Sequence, residues 1–225
     1  MRIPTTLSLL VVSAAAGFAN ADIVQIDAQS AIFDAGQDVP TLDGLLPPGL
    51  SIPSGAVSMT LPTVTGEVRA NPILPFAGPD GNTQLDDTNI TSFNGISGIL
   101  APTTLPLLGV FLVNPHTGNE NAPSRLDFHS FGYDFSSLTP LLGQTFFIGD
   151  GQTSTGLLQT FNVPDGATTL YLGLADAGFF TGAPGAYADN DGSFTADVQF
   201  QAVPAPGAIA LLGLGGMMTI RRKRA

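Results

Sequence analysis

Three consecutive oxygen-bearing side chains, Asp189, Asn190 and Asp191, stand before Gly192 in the stretch PGAYADNDGSF, residues 184 to 194. Calcium takes six to eight oxygen ligands from carboxylates, amide side chains and backbone carbonyls in flexible geometry. Neighbouring residues of a regular strand point to opposite faces, so Asp189 and Asn190 converge on one point only in a turn, which Gly192 predicts. Asp176 ends the preceding apolar run TTLYLGLAD, and its carboxylate is placed to close the cage from across the connection. A hairpin-type Asn-Asp-Gly turn without a metal accounts for the same residues. An EF-hand does not: in that register position one is Tyr187 and position twelve Val198, neither of which ligates through its side chain as required.

Other constellations are thin. Asp80, Gly81 and Asn82 with Asp86 and Asp87 form a second oxygen-rich run, read as a solvated acidic loop rather than a second cation site. His116 and His129 have no zinc spacing, and no G-x-S-x-G elbow occurs. His129 sits in apolar LDFHSF as a structural histidine, and His116 in a polar loop. With 18 acidic residues, paired carboxylates are too common to argue for glycoside hydrolysis. The chain reads as a binding or structural protein, not an enzyme.

The elements that must position these residues are strands. Phe194, Ala196, Val198 and Phe200 alternate with Thr195, Asp197 and Gln199, which predicts a half-buried strand. Leu170, Leu172 and Leu174 alternate likewise, after a Pro164-Asp165-Gly166 turn that follows LLQTFNV. DIVQID, AVSMTL, TGEVRA, LGVFLV and TFFIG are further strands, each bounded by Gly, Pro or Asn. No stretch carries caps and a 3.6-residue period long enough for a helix. The prediction is an all-β fold, a single antiparallel β-sandwich of jelly-roll or galactose-binding-like type with about eight strands. Residues 35–55 and 114–126 are read as surface loops.

The ends differ from this body. Arg2, an apolar run from Leu7 to Ala16 and a small-residue site at Ala19-Asn20-Ala21 predict a secretory signal peptide over 1–21, with a run too short to span a bilayer. The segment 204–225 runs from a proline-flanked entry through apolar residues to Arg221, Arg222, Lys223 and Arg224, a positive-inside stop pattern. The domain between them, 22–203, keeps only Arg69 and Arg125 against all 18 acidic residues, a charge that repels phosphate backbones and excludes nucleic acid as a partner. With no cysteine, an exported domain lacks covalent staples and depends on its core or on bound metal.

The tail VPAPGAIALLGLGGMMTIRRKRA resembles the PEP-CTERM sorting signal of exported bacterial proteins, departing from it at Ala205, where that signal carries Glu. The resemblance implies recognition by an exosortase-type membrane protease. The expected location is the cell surface or exterior, with a transient or retained C-terminal membrane anchor. A plain membrane anchor is the alternative reading of the tail.

Asp176 with Pro184-Gly185-Ala186-Tyr187-Ala188-Asp189-Asn190-Asp191-Gly192-Ser193-Phe194 resembles the closing segment of calcium-dependent galactose-binding lectins of the bacterial PA-I type, themselves small β-sandwiches. The resemblance covers about 25 residues. It implies calcium ligation by the Asp176 carboxylate, the Ala186 backbone carbonyl and the Asp189 and Asn190 side chains. An earlier backbone carbonyl before a Gly-Pro would come from Ala77 or Phe76 in FAGPDGN. In those lectins two sugar hydroxyls complete the calcium shell and a His-Pro pair with a Gln holds the ring. GPDGNTQLDDTN has no His, and Gln84 is the available stand-in. The seven-residue loop AGFFTGA brings Phe179 and Phe180 beside the proposed metal, to stack on a sugar or to close the site. Two functions stand at this point: a calcium-dependent module for a glycan or exopolysaccharide, and a structural envelope or matrix protein whose calcium only fixes the final hairpin.

Overall fold

In the strand formed by Asp191–Ala202, Phe194, Ala196, Val198 and Phe200 are buried and the residues between them are exposed or half-buried, as the alternation requires. Its long partner covers Ala56–Arg69, so AVSMTL and TGEVRA, read as two strands, are one. The join falls at Pro62, which cannot donate to the ladder. Asp197 faces Thr63 while Gln199 faces Thr60, so the register shifts there, and the bulge absorbs the proline without ending the strand.

This computed structural model describes residues 17–85 and 87–202. The expected signal residues up to 16, the sorting and anchor segment 204–225 and Asp86 lie outside the described residues. Among those described, no helix is long and apolar enough to cross a membrane.

The strands are β1 (Gly17–Asp27), β2 (Gly49–Ser51), β3 (Ala56–Arg69), β4 (Thr88–Ile90), β5 (Ile99–Ala101), β6 (Leu108–Leu112) and β7 (Leu126–Asp127). They continue with β8 (Ser137–Leu138), β9 (Phe146–Phe147), β10 (Thr160–Asn162), β11 (Thr169–Gly173), β12 (Thr181–Gly182) and β13 (Asp191–Ala202). The fold is all-β, as expected, but with 13 strands among the described residues rather than about eight. The excess comes from strands of two or three residues, such as β2, β7 and β12, too short to show an alternation. One four-residue helix, α1 (Phe128–Phe131), forms where none was expected, capped by the Asp127 carboxylate on the N–H groups of His129 and Ser130.

Three sheets run in the orders β1-β13-β3-β10-β8, β2-β11-β6-β9 and β12-β4-β5-β7. Most pairs are antiparallel, while β8-β10, β4-β12 and β5-β7 are parallel, so the sandwich is mixed rather than purely antiparallel. Phe18–Ala202 forms one compact unit around a single core in which Phe111, Phe146 and Phe161 contact one another in sequence. Residues 35–55, read as a loop, contain β2, which pairs with β11. The start of that segment is tied down by the buried Asp34, whose carboxylate accepts the backbone N–H of Thr41 (2.9 Å) and Leu42 (3.0 Å) and the Asn94 amide (3.2 Å). The 114–126 segment is irregular up to β7, as expected.

Candidate cation site

The chain leaves β11 at Gly173 and passes through Leu174 to Asp176 before making the loop that returns as β13. Asp176 is held by three backbone contacts. Its N–H donates to the Tyr187 hydroxyl (3.1 Å), its carbonyl accepts Gly185 N–H (2.9 Å), and its Oδ1 accepts Ala177 N–H (2.7 Å). Tyr187 is fully buried and its hydroxyl donates to the Leu174 carbonyl at 3.3 Å, so one phenol fastens both ends of the loop. Desolvation drives the Tyr187 hydroxyl far above the usual phenol range, which keeps it a donor.

Asn190 follows a turn at Ala188-Asp189 that is closed by its own N–H on the Tyr187 carbonyl (3.1 Å). Its amide N–H donates to the Ala28 carbonyl at 3.1 Å, which anchors it to the end of β1. Gln29 reaches the Ala188 carbonyl at 3.0 Å from the same segment. The expected turn at Gly192 is therefore displaced toward the N-terminus. Gly192 lies inside β13 opposite Val68, with φ +100, and a Cβ there would stand 2.2 Å from the Glu67 carbonyl oxygen. The glycine is required by the close approach of β3 and not by the cage. Asp191 is also spent elsewhere: its carboxylate accepts Arg69 Nε at 3.0 Å, while the Arg69 guanidinium lies 4.4 Å over the Phe76 ring.

Two oxygens of the expected ligand set have no hydrogen-bond partner. Asp176 Oδ2 and Asn190 Oδ1 are both buried, and neither has a partner at hydrogen-bonding geometry, although the Asn190 amide lies close enough to Asp176 to favour its charged form. Buried acceptors without partners are uncommon and costly. Burial pushes the Asp176 carboxyl up to about 8. The Ala177 N–H and the adjacent Asn190 side chain work against this, and the charges of Asp189 and Asp43 add to it. Asp43, which the sequence did not single out, comes from the 35–55 segment and accepts Tyr187 N–H at 3.2 Å.

The loop is strained where it turns. Phe179 and Phe180 both sit at φ +55 and Ala186 at φ +67, three non-glycine residues in the left-handed region within eight positions. Such conformations persist where the surroundings enforce them, and they recur at ligand sites.

A cavity of about 510 Å³ opens on this loop, lined by Asp176, Ala186, Gln84, Phe179 and Phe180 together with Asn71. The structure thus gathers five of the residues named from the sequence around one space. Asp189 is exposed and does not line it, and Asn190, although adjacent to Asp176, lines a separate polar depression with Asp27. The two phenylalanines separate in role: Phe179 is 87 % exposed, whereas Phe180 is 9 % exposed and belongs to the core. Ala77 does not reach the cavity, and its carbonyl already accepts Val68 N–H at 3.0 Å in a β-bridge. Asn71 comes to the cavity in its place, from the turn after β3, a residue no spacing rule would pick out.

Among the described residues no group of three or more His, Cys, Asp or Glu gathers as a metal centre. Any cation here rests on a mixed set of carboxylate, amide and backbone oxygens, the donor chemistry of calcium rather than of zinc or copper. Comparison with protein-family models, with curated proteins and with solved structures found no match to this chain.

Proposed function

We propose that this protein is an exported calcium-binding β-sandwich that presents the ion to a glycan, as a carbohydrate-binding or matrix-associated module rather than an enzyme. The observation that carries the calcium reading is the pair of partnerless buried oxygens, Asp176 Oδ2 and Asn190 Oδ1. A divalent cation would satisfy both acceptors and offset the cost of keeping Asp176 ionised. The Ala186 carbonyl and the Asp189 carboxylate supply further oxygens from the same loop. Export rests on the N-terminal segment and the sorting-type tail, which also imply an exosortase-type partner.

The glycan part is supported by the open cavity beside Asp176. Phe179 offers an exposed ring there, and Gln84 a hydrogen-bonding amide. Sites for small polar ligands combine such apolar walls with a few placed polar groups. A second reading, calcium as a structural staple only, is favoured by the depth of Asp176 and Asn190, at 2 % and 5 % exposure. A staple needs no vacant coordination position, whereas a sugar hydroxyl does.

Titration calorimetry of the chelator-treated protein with calcium tests the site, and a glycan array read with calcium and with chelator tests the module. No calcium heat and no thermal shift would remove the cation. Calcium binding with a silent array would leave the staple.

A further inference from the structure

The run Asp80-Gly81-Asn82, set aside above as a solvated loop, does not point to solvent alone. Asp80 Oδ1 accepts the backbone N–H of Asp150 at 3.0 Å and stands on the wall of a second cavity, of about 830 Å³, which shares no lining residue with the one at Asp176. Gly149, at φ +60, permits this: a Cβ there would lie 2.2 Å from Asp80 Oδ1 and 2.5 Å from the Phe147 ring. The remaining walls mix the rings of Phe131, Tyr133, Phe135 and Phe147 with polar side chains such as Thr103 and Ser154. Tyr133 stacks on Phe147 with centroids 3.8 Å apart, and Phe131, 52 % exposed, packs at 5.6 Å from Phe135.

This wall is built rather than incidental. The Gln159 amide donates to the Tyr133 carbonyl (2.6 Å) and the Phe135 carbonyl (2.9 Å). The Tyr133 hydroxyl is bonded to Thr103 Oγ1 at 2.9 Å, and Asp134 takes the Ser154 N–H (2.6 Å) and hydroxyl (2.9 Å). Segments far apart in sequence are thereby fixed around one space, so a ligand would meet a preorganised surface.

Charge decides what fits. Asp80, Asp134 and Asp150 line the cavity and no basic residue does. The two arginines of the domain are engaged elsewhere, Arg69 on Asp191 and Arg125 on Asn89. Partial burial raises the Asp80 carboxyl above its usual range; the Asp150 N–H counters this and the Asp150 charge adds to it. Neighbouring carboxylates without a counter-charge, in a cavity they share with aromatic rings, form a field that attracts cations and repels phosphates and uronates.

We propose that this cavity binds an organic ammonium group carried on a compact body, with the rings of Phe131 and Tyr133 against the ligand and Asp80 facing its charge. An amino-sugar unit and a quaternary ammonium headgroup share that chemistry.

Calorimetry or NMR titration of the full chain in chelator uses matched pairs: glucosamine against N-acetylglucosamine, and choline against its uncharged isostere 3,3-dimethylbutanol. At least one charged member should bind tenfold or more tightly than its neutral partner, and binding should weaken with added salt. The better charged ligand identifies the source. Phe131→Ala and Asp80→Asn should each weaken it at least tenfold with the melting temperature retained, since Phe131 is exposed and Asn keeps the acceptor for Asp150 N–H. Equal or tighter binding of the neutral members would make this a neutral-saccharide cleft and overturn the proposal. Silence of all four ligands at millimolar concentration, or wild-type binding by both variants, would overturn it as well.

Discussion

The Tyr187 hydroxyl lies 3.1 Å from the backbone nitrogen of Asp176, across the whole loop that joins β11 to β13. It accepts there and donates to the Leu174 carbonyl, so the position of the Asp176 carboxylate is set by a tyrosine eleven residues later. Removing the hydroxyl leaves the buried Asp176 N–H unsatisfied, at about 1–3 kcal/mol, while the Leu174 carbonyl keeps the Ile32 N–H at 3.0 Å. Tyr187→Phe should therefore lower stability by that amount in denaturant unfolding and weaken calcium binding, although no proposed ligand is touched. Unchanged calcium affinity would mean that Asp176 is placed without the tyrosine.

Asp176→Asn separates two effects. In chelator the variant should be at least as stable as wild type, because a buried carboxylate is replaced by a neutral isostere. With calcium at about 100 times the dissociation constant, wild type should gain about 2.7 kcal/mol and the variant nothing. Thermal unfolding of both proteins under both conditions gives the four values required.

Asp176 also predicts a pH dependence of the metal-free protein. Its carboxyl is raised in the folded state from 3.8 to about 8. The folded protein therefore holds the proton more tightly than the unfolded chain. The contribution is complete below pH 4 and is lost as pH rises toward 8. Stability in chelator should fall over that window, and saturating calcium should flatten the fall. A wild-type profile no steeper than that of Asp176→Asn would contradict it.

Phe179 and Phe180 are adjacent and should respond oppositely. Phe179→Ala, at an exposed tip, should change stability by less than about 0.5 kcal/mol and should reduce any glycan binding. Phe180→Ala should cost about 3–5 kcal/mol by opening the core. Denaturant melts beside a glycan array distinguish the two.

The long strands were legible because their residues alternate over many positions. Phe194 to Phe200 fix the inner face of β13 without ambiguity. Strands of two or three residues cannot show a period, and β2 hid within a Pro- and Gly-rich segment. At the candidate site, Asp176 and Asn190 were readable from residue type and order, as was the loop carrying Phe179. Asp43, Asn71 and the clamp by Tyr187 were not, since each depends on segments that only the fold brings together. Gly192 was misread for a related reason. A glycine before a strand looks like a turn, and only the neighbouring β3 reveals that backbone contact demands it. Of the aromatic cavity only the Asp80 run was visible, as an oxygen-rich stretch, because the other walls come from Thr103, the 130s, Phe147 and the 150s, none of which carries a motif.

The last strand of the domain, β13, is inserted between the first strand, β1, and the long β3. The five-stranded sheet therefore cannot close until residue 202 is available, and its main pairing joins segments more than a hundred residues apart. Non-local pairing of this kind is slow to form. A partially synthesised chain lacks this inner strand, and β1 is left without the partner that joins it to β3. The order of strands thus makes the closing of this sheet wait for the last strand of the domain to arrive.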